Sequence, residues 1–96
     1  MFRIAKPFQN HNGGLIAFDP LAASGSADYG LLYVGVADGG SGGDPYKHAQ
    51  NLSSAFGKIL RIDPLGSNSA NGKYGIPATN PFAKNVKPGT LGEVYA

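Results

Sequence analysis

Apolar residues in this chain gather into short runs set between stretches rich in glycine and proline. Gly14-Leu15-Ile16-Ala17-Phe18, bounded by Asn12-Gly13 and Asp19-Pro20, is almost wholly apolar, the pattern of a strand buried on both faces. Leu31-Leu32-Tyr33-Val34-Gly35-Val36 is aromatic and β-branched, stops at Asp38-Gly39-Gly40, and predicts a second strand. Lys58-Ile59-Leu60-Arg61-Ile62-Asp63 begins after Gly57 and is closed by Pro64, which cannot donate to a following ladder; it predicts a third. Glu93-Val94-Tyr95-Ala96 has the makings of a fourth. The one helix expected is the two-turn stretch Ala49–Phe56, ended by Gly57.

Composition narrows the class. Of 96 residues, 15% are charged and 42% hydrophobic, with 15 Gly and 7 Pro, so the chain is neither a charged disordered tail nor a helical bundle. Lys+Arg 8 against Asp+Glu 6 leaves +2, which gives no basis for nucleic-acid binding. Cys 0 excludes disulfides and thiolate metal sites. No apolar run approaches the roughly 18 residues of a membrane helix, and the first residues hold no signal-peptide core. Successive short strands that must be sheltered on both faces suit a β-propeller blade packed between neighbours. The expected fold is therefore all-β: residues 1–96 as about one four-stranded antiparallel blade plus long loops, part of a domain that extends at both ends.

Several motifs match by chance in a Gly-rich chain. Gly39-Gly40-Ser41-Gly42-Gly43 fits the nucleophile-elbow pattern, but Asp44-Pro45 follows where that motif needs a strand-to-helix turn. Gly39 to Lys47 fits one copy of a calcium nonapeptide whose sites need stacked copies. No phosphate loop or dinucleotide fingerprint occurs, and the glycan pattern Asn51-Leu52-Ser53 is common by chance. A more informative constellation arises if the first two strands pair as antiparallel neighbours with Phe18 opposite Leu31. The same register sets His11 opposite Asp38 at one end of the sheet. A carboxylate bonded to one imidazole nitrogen fixes the tautomer and leaves the other able to take a proton from a hydroxyl. The plainer alternative, two turn residues bonding nearby backbone, fits the same spacing. His48 is expected to be solvated, and Lys58 and Arg61 to snorkel or pair at an edge.

His11-Asn12-Gly13-Gly14, then Leu31 to Pro45 with Ala37-Asp38-Gly39-Gly40-Ser41-Gly42-Gly43-Asp44-Pro45, Ala49-Gln50-Asn51-Leu52, Gly57-Lys58-Ile59-Leu60-Arg61-Ile62-Asp63 and Tyr74-Gly75-Ile76-Pro77-Ala78 follow one another in an order that closely resembles the glucose/sorbosone dehydrogenase family. These are soluble, pyrroloquinoline quinone-dependent aldose dehydrogenases. The resemblance implies a six-bladed β-propeller with quinone and calcium near its axis, an aldose docked above them, and a periplasmic or secreted location. It implies His11 as the general base at the anomeric hydroxyl, supported by Asp38, with Asn10, Gly39, Gly40 and Ser41 at the pocket. The metal ligands, an Arg-Asn-Pro block that holds the cofactor and the neighbouring blades are expected outside these residues. The loop Leu21 to Gly30 is longer than in many members, and Asn10 stands where some carry an acidic residue. A non-catalytic propeller that binds protein or glycan is the alternative from another class.

Overall fold

The computed structural model describes residues 4–5, 9–11, 13–84 and 89–96; Asn12, part of the block around His11, lies outside them. Three strands form where the apolar runs stand: β1 (Leu15–Phe18), β2 (Leu32–Val36) and β3 (Lys58–Ile62). They make one antiparallel sheet in chain order, β1-β2-β3. Residues 93–96 lie antiparallel along the free edge of β3 and add a fourth, irregular member. Leu60 bridges Val94. The Arg61 N–H donates to the Glu93 carbonyl (2.9 Å) and the Tyr95 N–H to the Ile59 carbonyl (2.8 Å). The described residues are thus all-β, and a meander of this kind is compatible with a single propeller blade.

Side chains alternate across the sheet. On one face Val36, Leu60 and Val94 are buried, covered by Ala55 and Phe56 and flanked by Ile4, Val34, Phe82 and Leu91. Leu60 and Val94 are each 1% exposed, and fully burying a side chain of this kind stabilises by roughly 1.5–3 kcal/mol. The opposite face carries Tyr33, Arg61 and Tyr95. The rings of Tyr33 and Tyr95 meet edge to face at 5.4 Å, and the Arg61 guanidinium lies 4.4 Å over Tyr95.

Three expectations are corrected. β1, read as buried on both faces, is exposed on both: Leu15 is 77%, Ile16 61% and Phe18 57% accessible. The segments that cover the sheet reach β2, β3 and residue 94 but stop short of its outer strand. The helix over Ala49–Phe56 reduces to one 3₁₀ turn, His48–Gln50. There the Asn51 carboxamide accepts the Ser53 N–H (3.0 Å) and hydroxyl (2.6 Å), a local turn that competes with helix continuation. Lys58 and Arg61, expected to snorkel or pair at an edge, are interior, although Arg61 does pair with the Asp28 carboxylate at 3.1 Å. The Lys58 ammonium donates to the carbonyls of His48 (2.7 Å) and Phe56 (3.0 Å), and burial pushes it below its usual range against the opposing field of Asp44. Arg61 donates to Asn80 Oδ1, Asp28 Oδ1 and Thr79 Oγ1, which ties the long 19–31 connection to β3.

Candidate functional site

The site lies at the end of the β1–β2 hairpin away from its connecting loop, where the chain enters β1 and leaves β2. Within the ladder Phe18 faces Leu32, so the assumed register was one residue off. Leu15 faces Gly35, yet the Gly14 N–H also reaches the Gly35 carbonyl at 3.1 Å. Two consecutive residues of one strand thus meet one of the other, the local count of a β-bulge. Gly13 consequently sits hard against β2: a Cβ there would come within 2.7 Å of the Ala37 nitrogen and the Gly35 oxygen. The Gly39 N–H to His11 carbonyl bond has the same offset as the ladder itself, so His11 comes beside Asp38 through its side chain and not as a directly opposed ladder pair.

Nδ1 of His11 lies 3.1 Å from Oδ1 of Asp38. An ionised carboxylate only accepts, so the proton of this bond sits on Nδ1 and the lone pair of Nε2 is left unengaged by Asp38. The imidazole is 51% exposed and the carboxylate 25%, so the ring can meet a ligand while its partner is partly screened. The same Oδ1 accepts the Gly40 N–H at 3.0 Å, and the Gly39 N–H donates to the His11 carbonyl at 2.8 Å. Every residue from Gly39 to Asp44 has positive φ. Glycine adopts this without penalty, whereas Ser41 (φ 61) and Asp44 (φ 50) adopt it against their side chains. The pocket residues named from the sequence, Asn10, Gly39, Gly40 and Ser41, all lie within this cluster, with Asn10 Oδ1 accepting the Ser41 N–H at 3.1 Å.

Asp44 was not singled out as a structural residue. Its two oxygens accept the N–H groups of His48 (2.9 Å) and Ala49 (3.0 Å), and these bonds, that from Ala49 first, hold its carboxyl below the usual range. Asp-Pro ahead of a short turn was the available signal. His48, expected to be solvated, is half-buried: its Nδ1 lies 3.2 Å from Ser54 Oγ and its ring 4.9 Å from that of Phe56.

A family model described as Glucose / Sorbosone dehydrogenase matches residues 2–96. The chain belongs to the glucose/sorbosone dehydrogenase family. Among its relatives are two proteins of Arabidopsis thaliana, HIPL1 protein at 39% and HIPL2 protein at 37% identity, each over 93 residues. Those matches cover 88% of this chain and 12% of each relative, so the chain spans a small part of their length.

For a member of the glucose/sorbosone dehydrogenase family, the implied quinone and calcium can be tested against the residues present. A quinone carrying three carboxylates calls for cations, and the two buried ones of the sheet, Lys58 and Arg61, are already bonded to protein oxygens. Both oxygens of Asp44 face backbone N–H groups, and among the described residues no three His, Asp or Glu side chains stand together as a metal site. The described residues do not form a seat for either group.

Proposed function

We propose that this chain carries the proton-accepting part of a quinone-dependent sugar dehydrogenase built on a six-bladed propeller. The observation behind the reading is the His11–Asp38 pair, 3.1 Å apart, its imidazole open at the rim of a glycine-rich loop. Removing hydride from the anomeric carbon of an aldose is difficult unless the hydroxyl proton leaves as well. Nε2 of His11 takes that proton, and Asp38 orients the ring and stabilises the imidazolium that results. Pyrroloquinoline quinone is the two-electron acceptor the family resemblance implies, seated with calcium by residues other than those described. The uncovered apolar side chains of β1 support the propeller, since a blade's strands are sheltered by the blades on either side.

The test uses the protein that carries this chain, supplied with quinone and calcium. His11→Ala lowers sugar-dependent dye reduction by about 10²–10⁴-fold. Asp38→Asn lowers kcat more than it raises KM. Dye reduction that survives His11→Ala unchanged overturns the assignment, and sugar binding without any turnover in the parent protein favours the binding propeller instead.

A further inference from the structure

The residue before the proposed base has a task of its own. Asn10 and His11 together grip the loop that follows β2 at three points. The Gly39 N–H reaches the His11 carbonyl, Asp38 Oδ1 receives both His11 Nδ1 and the Gly40 N–H, and the Ser41 N–H reaches Asn10 Oδ1. The N–H groups of Gly39 and Ser41 thus point back toward the strand entry, while that of Gly40 closes onto Asp38 two residues before it. Such a turn needs outside support, because Ser41 holds a left-handed backbone that its side chain disfavours. Of the three anchors, only the Asn10 carboxamide belongs to neither the His11–Asp38 pair nor the backbone. We infer that Asn10 is a positioning residue, a latch on the Ser41 N–H that keeps Gly40 bonded to Asp38 and so keeps His11 in the Nδ1-protonated tautomer. Its role in turnover rests on the function proposed above; its effect on the ring does not.

The chemistry of the side chain makes the latch testable by rescue. A carboxylate at position 10 has the same shape and still accepts an N–H, whereas a methyl group cannot. In the protein that carries this chain, the expected results for Asn10→Ala are a rise of at least about tenfold in Ser41 amide exchange, the loss of one hydrogen bond being of that order. Nitrogen NMR of the His11 ring is expected to shift from the Nδ1-protonated form toward the Nε2-protonated one. Asn10→Asp is expected to restore both. With sugar present, kcat falls in Asn10→Ala while KM changes less. Unchanged Ser41 exchange and an unchanged His11 tautomer in a folded Asn10→Ala protein overturn the latch, as does failure of Asn10→Asp to restore either signal. If both ring and amide signals respond and no His11-dependent sugar oxidation exists, the latch stands and the dehydrogenase reading falls.

Discussion

The two edges of the sheet differ in what holds them. The β3 edge is closed by residues 93–96 and by polar groups that satisfy one another inside. Asn80 Nδ2 donates to the carbonyls of Arg61 (2.8 Å) and Gly92 (3.0 Å), and the Tyr74 hydroxyl donates to Glu93 Oε1 (2.5 Å). The β1 edge has no such closure among the described residues, and Leu15 and Ile16 stand exposed. The His11–Asp38 pair belongs to the open side. The part with the buried contacts is therefore separate from the part that carries the His11–Asp38 pair, which is held by hydrogen bonds and not by surrounding core.

The largest effect expected from this contrast is between two leucines. In the 96-residue chain by itself, Leu60→Ala, at 1% exposure, costs about 3–5 kcal/mol in denaturant unfolding, while Leu15→Ala, at 77%, stays within about 0.5 kcal/mol; where neighbouring blades cover β1 the difference shrinks. Comparable losses at the two positions break the comparison. Next is Tyr74→Phe, which leaves the buried Glu93 carboxylate without its hydroxyl partner and costs about 1–3 kcal/mol. Burial first, and Glu93 second, push the Tyr74 hydroxyl above its ordinary value of 10.0. A group raised on folding contributes in full below its unfolded value, so this contribution is lost as pH climbs past 10.0. Titrating wild type and Tyr74→Phe side by side should show the alkaline loss only in the wild type.

Gly13→Ala probes the bulge. Its Cβ would meet backbone atoms at 2.7 Å and φ is +69, so thermal unfolding should reveal a destabilisation of about 1–3 kcal/mol together with weakening of the His11–Asp38 bond. A neutral result would mean that the strand entry is loose and the pair is not built by the bulge. The smallest effect concerns Asp44, whose carboxyl is held below its ordinary 3.8. The sign is opposite to that of Tyr74: its contribution is present above 3.8 and fades as pH falls through the lower folded value. Asp44→Asn should show less acid sensitivity than the wild type across that window.

The strand positions were readable because apolar runs bounded by Asp-Pro, Gly-Gly and Pro64 leave little freedom: the first three expected strands agree with the observed ones to within a residue at their ends, while the expected fourth, residues 93–96, is reduced to a bridge at Val94. The His11–Asp38 encounter was readable for a less direct reason. The observed register differs from the expected one by one residue and holds at the Gly39 N–H to His11 carbonyl bond, so the two side chains meet from neighbouring positions and not from opposed ones. The burial of Lys58 and Arg61 was not readable, because it depends on the carbonyls of His48 and Phe56, the Asp28 carboxylate, the Thr79 hydroxyl and the Asn80 amide, brought in by loops without periodicity. The absent helix at 49–56 was decided by one side chain, Asn51, folding back on Ser53.

The polarity of the β1–β2 hairpin has a consequence for how such a chain can change. Its long connection, 19–31, joins the ends of the strands opposite to the His11–Asp38 pair, and Asp28 fixes that connection to Arg61 before it enters β2. Residues 23–27 are exposed and lie ahead of that fixing point. Length variation there is insulated from the reactive end by the whole strand pair, so this loop can lengthen, diversify or accept a grafted reporter while the imidazole and carboxylate keep their places.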